Sequence, residues 1–454
     1  MSTNRKFTWK ELASLNQEHN AHVAVRGKVY DISKFISKHP GGSDILHMAA
    51  GKDITIPFEC YHTFSSLAPK TLENYYVGDL VSSRKPTFQE PGPFYNTLRD
   101  RVQKYFEETK QDSKNSPWIW LRVITAPTIM ILMWFAQMFW LSHSFVLCAV
   151  AASVMGLCQS MISLLNFHDA SHFSITRSPL VWRTICHLED FLNGISYYVW
   201  MHKHIFSHHP YTNVDGFDPD IDIMTSNPTT DIRRIKKSQI WMPRFFYQHI
   251  FAPSVYFMVN WILRVEDLGI FLIYKETSTT RLNPPSKFHW TLFVLGKLFF
   301  VLYQIVIPAL ILGPWKMVAL HMIGEMAGGY WISFLLQTPH VLSEVEWPIP
   351  DKDGKFHREW AEHQIATTQD FSTENSILSY FAGGTNHQVA HHLFPGINQI
   401  YYPDITPIVR ETCKEFGIKY HCVETLMDSY RGHVAYLKKM GQEKAQLVDL
   451  QHED

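Results

Sequence analysis

The sequence predicts a two-part chain: a small soluble N-terminal domain, then an all-α membrane domain with four transmembrane helices in two hairpins. Three observations carry this. Charged residues are only 18% of the 454-residue chain and aromatics are 14%, against a usual charged share of about 25%, a deficit typical of chains with lipid-facing surface. No formally charged residue occurs between Arg122 and Asp169. The 25 histidines cluster at the ends of the apolar stretches, which places chemistry at the membrane rim.

Residues 1–82 are polar and mixed. The runs HVAVRGKVYDI and YYVGDLV read as strands, punctuated by Gly and Asp. Residues 83–116 read as a linker and pre-membrane segment, because Pro and Gly cluster in SSRKPTFQEPGP. Residues 117–430 form the membrane domain, and 431–454 a polar C-terminal tail. One bilayer crossing takes roughly 20 apolar residues, so the uncharged run holds two helices with a turn near Trp140 to Ser144. From His289 to Leu342 the charged residues are Lys297, Lys316 and Glu325, which gives a second hairpin broken at GPWK. Glu325 and Lys297 are costly at such depth and mark function, or for Lys297 snorkelling to the interface.

Between the hairpins lies a polar stretch containing RRIKK (233–237), and excess Lys and Arg mark the cytoplasmic side. The segment IFAPSVYFMVNWIL (250–263) is too short to cross and reads as interfacial or a buried partial helix. The polar start, MSTNRKFTWKEL, has no apolar core of a signal peptide, so the N-terminus is expected in the cytosol. A net charge of -1 implies no nucleic-acid partner. The six cysteines form no CxxC pair, which excludes a zinc knuckle or redox dithiol and suits a reducing compartment.

The histidines fall in three boxes. HDASH supplies His168 and His172, four apart and so on one helix face. HIFSHH supplies His204, His208 and His209 in the basic loop. QVAHH supplies Gln388, His391 and His392 after the fourth span, and His340 ends that span. With four spans, parity puts all of them on one face of the membrane, together with the N-terminal domain. Imidazole suits iron, copper, zinc and nickel. Eight imidazoles exceed what one ion can use, so two ions are the natural count. No partner cysteines accompany them, which argues against structural zinc. Asp169 is the exception among boxes poor in carboxylates, so a carboxylate-bridged bundle fits poorly. His187, His202, His249 and His363 read as surface or packing residues.

In the N-terminal part, HPGG (39–42) precedes a second histidine, His62 in ECYHTFSS. The turn glycines permit close backbone approach, and two such histidines suit a planar cofactor gripped from both faces. FTWKEL, GKVYDISKFISKHPGG, GKDIT and YYVGDL resemble the cytochrome b5 haem domain in order and spacing. The resemblance implies an α+β fold, haem b, and His39 and His62 as its axial ligands. Around His62 the sequence departs from the usual cytochrome pattern.

Fused to HDASH, HIFSHH and QVAHH, such a domain resembles the front-end fatty acid desaturases over roughly residues 7–430. That family implies a multi-pass endoplasmic reticulum enzyme with both termini and the active site in the cytosol. It implies two non-haem iron ions held by the boxes, O2 as co-substrate, and electrons from NADH through an NADH-cytochrome b5 reductase and the fused haem. The front-end group has Gln where other membrane desaturases begin the third box with His, and Gln388 stands there. His387 occupies a position where the family commonly has Tyr, which leaves its role open. WMHKHIFSHHPYTN, LLQTPHVLSEVEWP and TTQDFS are similar to fungal and protist delta-5 desaturases. The implied substrate is a C20 polyunsaturated acyl chain, as CoA thioester or phospholipid, such as dihomo-gamma-linolenate going to arachidonate. Neighbouring activities with the same motifs are delta-6 desaturation, sphingolipid delta-8 desaturation and lipid hydroxylation.

Overall fold

A computed structural model of the chain describes residues 5–221 and 231–443. Its N-terminal part is an α+β unit. Strands β1 (Arg5–Phe7), β2 (Asn16–Gln17), β3 (Asn20–Val25), β4 (Lys28–Asp31) and β5 (Tyr76–Leu80) form one sheet in the order β1-β5-β4-β3-β2. β1 runs parallel to β5, and the other neighbours are antiparallel. Along β3, Ala21, Val23 and Val25 join Tyr30, Ile36 and Met48, while Ala24 joins Phe7, Leu12 and Val29. This is the period-two alternation of a strand covered on both faces. Thr8 and Glu11 form a capping box on α1 (Trp9–Ser14). Helices α2 (Ser43–Ala49), α3 (Thr55–Tyr61) and α4 (Leu67–Glu73) complete the unit.

The expected linker is structured. β6 (Thr87–Gln89) pairs in parallel with Lys355–Glu359, and α5 (Pro93–Thr109) buries Phe94, Tyr95, Leu98 and Val102. Gly92 and Pro93, taken in sequence as linker punctuation, are the N-cap and first residue of α5, a place where proline's missing N–H costs nothing.

Helix α6 (Pro117–Phe135) runs on through a π turn to Trp140. After the turn, α7 (Phe145–Met161) continues through a π segment into α8 (His168–Ser171). Helices α9 (Pro179–Leu192) and α10 (Tyr197–Trp200) lead into a π-helical stretch, Met201–His208. Then follow α11 (Gln248–Ser254), α12 (Val259–Gly269), the ribbon β7 (Glu276–Thr277) and β8 (Thr280–Arg281), α13 (Lys287–Val301), α14 (Ile307–Leu312) and α15 (Pro314–Gln337). The rest forms a cap: β9 (Lys355–Glu359), α16 (Trp360–Thr367), β10 (Asp370–Phe371), α17 (Ser376–Phe381), α18 (Gln388–Leu393), α19 (Tyr402–Glu415), β11 (Cys422–Val423) and α20 (Leu426–Gln442).

Among the described residues three helices are long and apolar enough to cross a membrane: Pro117–Trp140, Phe145–Ser171 and Lys287–Leu312. They carry outward-facing apolar side chains such as Ile124, Phe139, Val150, Leu298 and Leu310. Four were expected. The difference is α15, whose 24 residues span about 36 Å but include Lys316, His321, Glu325 and several glycines. α15 packs along α7, and this inner position relaxes its need for apolar surface. Gly156, Gly324 and Gly328 let the two backbones touch: a Cβ on Gly156 would sit 2.0 Å from the Gly324 carbonyl oxygen. Ser160 Oγ donates to the Gly328 carbonyl at 2.8 Å.

The isolated charges are paired. Glu325 accepts from Arg264 at 2.7 Å, and Lys297 lies 3.2 Å from Asp267 and bonds the Gly194 carbonyl. Pairing removes the penalty that an isolated charge would meet there, so Lys297 does not snorkel. Arg233 and Arg234 of the basic run are buried. Arg234 donates to the carbonyls of Gln239, Met440 and Glu443, fastening α20. The expected polar tail therefore begins in a packed helix, which buries His433, Tyr436, Leu437 and Met440. Residues 444–454 of that tail lie outside the described residues. The segment 250–263 forms parts of α11 and α12 with a 3-10 turn between them.

The N-terminal unit is seated on the helical part by buried polar contacts. Asn283 Nδ2 shares its two N–H groups among the carbonyls of His47, Met48 and Ala50 at the end of α2, and its Oδ1 accepts from Lys52. Lys85 donates to Phe206 O and Thr280 Oγ1, and Arg183 pairs with Asp44 at 2.8 Å.

Candidate metal centre

The three boxes meet where α8, the Met201–His208 helix and α18 converge with the end of α15. His168 and His172 lie a helical turn apart, with ring centroids separated by 4.7 Å. The second box, expected in a loop, is a π helix. Its widened turn bonds His209 N–H to His204 O, so residues five apart share a face. His204 faces His209 at 4.6 Å while also lying 5.1 Å from His208. A regular α turn would aim one of that pair away.

The imidazoles sort into two groups. His168, His172, His204, His209 and His391 form one, and His208, His340 and His392 form the other. Within each group the candidate ligand atoms lie within 4.8 Å of one another. In the first, Nε2 of His204 is 3.3 Å from Nε2 of His168 and 3.1 Å from Nε2 of both His172 and His209. Nε2 of His391 is buried without a hydrogen-bond partner.

The outer ring nitrogens explain this inward aim for six of the eight histidines, while Nδ1 of His168 and of His209 is buried without a hydrogen-bond partner. Nδ1 of His204 bonds Asp220 at 2.5 Å, and Nδ1 of His208 bonds Asp218 at 2.9 Å. Nδ1 of His340 bonds the Thr367 carbonyl, Nδ1 of His391 bonds Tyr402 Oη, and Nδ1 of His392 bonds Gln364 Oε1. Nδ1 of His172 bonds the Tyr61 hydroxyl at 2.7 Å. A neutral ring that spends its proton outward presents only a lone pair inward, so the facing Nε2 atoms repel unless a cation lies among them. An outer acceptor on each ligating histidine is the usual support of a metal site. The donor set thus fits two metal ions.

Gln388 joins the second group. Its amide is 3.0 Å from Nε2 of His340 and 3.2 Å from Nε2 of His392, and its Oε1 is buried without a partner. The two amide atoms are interchangeable in shape. With the oxygen turned inward, Gln388 completes a set of three nitrogens and one oxygen. His387 stands apart, with Nδ1 on Thr406 Oγ1 and Nε2 on Ser379 Oγ. Asp169 is not among the grouped residues. It accepts from Asn398 and Gln399 and so fixes the turn after the third box. His187 bonds Asp190, His202 bonds Tyr198 O, and His363 bonds Thr212 O, all as packing residues.

Burial pushes His172, His209, His391 and His392 well below the ordinary imidazole value, so they are neutral at pH 7, as ligation requires. Burial also acts against charge on His208, but the Asp218 carboxylate outweighs it and raises that group. Asp220 stays ionised well below its ordinary range, because the His204 bond overcomes burial.

In the N-terminal unit, His39 and His62 face each other with ring centroids 6.3 Å apart. Nδ1 of His39 donates to Gly42 O and Nδ1 of His62 to Phe58 O, which turns each Nε2 toward the other ring. A Cβ on Gly41 would lie 2.7 Å from the His39 ring, so the HPGG turn needs glycine there. The pair fits an axially ligated haem.

Sequence reasoning missed the outer partners. Asp218 and Asp220 had a signal: GFDPDID follows the second box within a dozen residues. Gln364, Thr367 and Tyr402 come from distant segments, and Tyr61 from another domain, with no local pattern to mark them.

Known proteins resemble this chain over most of its length. A fatty acid desaturase model matches residues 144–424, and a cytochrome b5-like haem/steroid binding domain model matches residues 8–81. The chain is 39% identical over 445 residues to an acyl-lipid (8-3)-desaturase of Mortierella alpina, covering 96% of this chain and 97% of that one. It is 34% identical over 443 residues to Delta(5) fatty acid desaturase A of Dictyostelium discoideum, covering 97% and 94%. An acyl-lipid (8-3)-desaturase of Physcomitrium patens is 32% identical over 456 residues, covering 97% and 92%.

Proposed function

The chain belongs to the fatty acid desaturase family, as a front-end desaturase with a fused cytochrome b5-like domain, and we propose that it places the delta-5 double bond in C20 polyunsaturated acyl chains. Dihomo-gamma-linolenate would go to arachidonate. The named activities of the fungal and amoebal relatives support this regiochemistry. The observation that carries the desaturase chemistry is the pair of imidazole groups meeting at one end of the helices.

His168, His172, His204, His209 and His391 hold one iron, and His208, His340, His392 and Gln388 the other. His39 and His62 hold haem b. When bound, the irons supply an O2-derived oxidant strong enough for unactivated C–H bonds, and the haem supplies electrons. The overall balance removes two hydrogens from adjacent methylenes and consumes O2, two electrons and two protons to give two waters. Asp218 and Asp220 fix the tautomer and aim of His208 and His204. Buried Leu164, Leu165 and Phe167 beside the first box exclude bulk water. α15 serves as the fourth span, so the boxes, both termini and the haem domain lie on the cytosolic face of the endoplasmic reticulum. An NADH-cytochrome b5 reductase delivers the electrons.

The test is expression in yeast fed dihomo-gamma-linolenate or linoleate, with double bonds located by mass spectrometry. Arachidonate is expected. Conversion of linoleate alone would establish delta-6 chemistry instead, and hydroxylated product would remove the desaturase reading. His208→Ala should abolish product while the haem absorbance band persists.

A further inference from the structure

His62 closes α3, and the residue before it reaches out of its domain. The Tyr61 hydroxyl lies 2.7 Å from Nδ1 of His172. Its ring lies over that imidazole with centroids 6.2 Å apart at 30°, and Phe173 meets its edge at 5.1 Å. Beside it Phe64 stacks on Phe394 at an angle of 10°. Six grouped histidines bond an outer partner through Nδ1. Five of those partners, Asp220, Asp218, Thr367, Tyr402 and Gln364, belong to the helical part. His172 alone takes its partner from the N-terminal unit.

We propose that Tyr61 is the positioning residue that couples the two centres, carrying electrons from the haem held by His39 and His62 to the metal group that includes His172. The proposal rests on the reading that the fused haem domain reduces the metal pair within the same chain. Tyr61 is adjacent in the chain to one haem ligand and one hydrogen bond from one metal ligand. That route has a single non-covalent gap, and electronic coupling weakens most across gaps. The Phe64–Phe394 stack crosses the same interface but touches no grouped histidine. Each crossing moves one electron: the haem iron is oxidised from ferrous to ferric and one ion of the pair is reduced from ferric to ferrous. Tyr61 ends unchanged, its hydroxyl still bonded to His172. The same bond holds His172 in the tautomer that leaves Nε2 free for metal.

The experiment uses the full-length holoenzyme and Tyr61→Phe, which keeps the ring and removes the hydroxyl. Haem is reduced anaerobically and its reoxidation by the ferric pair is followed by stopped-flow absorbance. Non-haem iron content and the haem midpoint potential are measured on the same samples. Excess ferrous iron offsets any weaker binding caused by the lost support of His172, and at matched iron content reoxidation should slow by about tenfold or more, with haem potential unchanged. An unchanged rate would overturn the proposal, as would a slower rate matched by an equal loss of iron, which would leave Tyr61 as a support for His172 only. Phe64→Leu loosens the same interface without touching His172 and should leave the rate unchanged. Equal slowing in both variants would assign the effect to docking and also overturn it. If haem in the unsubstituted enzyme is not reoxidised at all, the same-chain reduction fails, a result separate from either variant's.

Discussion

Asn283→Ala should unseat the haem domain from the helical part. Asn283 is 3% exposed. Its two amide N–H groups are shared among three carbonyls closing α2, at 2.6, 3.1 and 2.9 Å, and its oxygen accepts from the Lys52 amine. Lys52 keeps one other partner, the Met48 carbonyl. Alanine therefore strands the Lys52 nitrogen and the last carbonyls of a helix together. A stranded buried group costs about 1–3 kcal/mol, more when charged. A cavity of about 420 Å³ lined by Trp9, Lys10, Lys52, Arg84 and Arg281 adjoins the site, so water reaches part of it and the lower end applies, about 1 kcal/mol each for the Lys52 nitrogen and the helix-end carbonyls. A loss of about 2 kcal/mol lowers the docked fraction's equilibrium constant by about thirtyfold. Amide hydrogen exchange reads this directly. Residues 47–52 and 280–283 should exchange faster in the variant, while the strand amides of Val23 and Val29 stay protected. Unchanged exchange in both covered segments would refute the argument that Asn283 holds the two parts together.

Three further outcomes follow from the same geometry. Asp220→Ala removes the acceptor of His204 Nδ1 and should weaken non-haem iron binding by about 10- to 100-fold, measured by competition with a chelator, with haem content unaltered. Gly156→Ala puts a Cβ against the Gly324 carbonyl and should cost about 1–3 kcal/mol or more, seen as a lower thermal unfolding midpoint in detergent; an unshifted midpoint would contradict the contact. Burial pushes His363 and His433 down to about 3, and both would titrate near 6.5 when unfolded. Between those values the unfolded chain binds protons that the folded one refuses, so stability falls as pH drops below 6.5, by about 1.4 kcal/mol per pH unit for each group. The contribution is read by comparison: from pH 6.5 to 5.5 the denaturation midpoint of a His363→Gln, His433→Gln double variant should fall less than the parent's, and an equal fall in both would refute this.

Local patterns carried the sequence reading far. An uncharged run can only be a pair of buried rods, and the spacing of His168 and His172 fixes a shared face on any helix. HPGG, with the strand run GKVYDI ahead of it, marks the N-terminal unit. What escaped was set by long-range packing. Gly92 and Pro93 punctuate a linker and a helix start equally well, and only the burial of Phe94 and Leu98 against the cap decides between them. α15 reads ambiguously because an inner helix replaces apolar surface with glycine contacts and an Arg264–Glu325 pair. The second box reads as a loop because a π turn has no residue signature. Asn283 and Tyr61 look like ordinary polar residues until the two parts of the chain meet.

The central claim is that two groups of donors, not one, gather at the end of the helices. Its most direct test is the ratio of non-haem iron to haem in purified, active protein. About two non-haem irons per haem are expected, since one ion cannot use eight imidazoles. A ratio near one, or active protein with no iron beyond the haem, would contradict it.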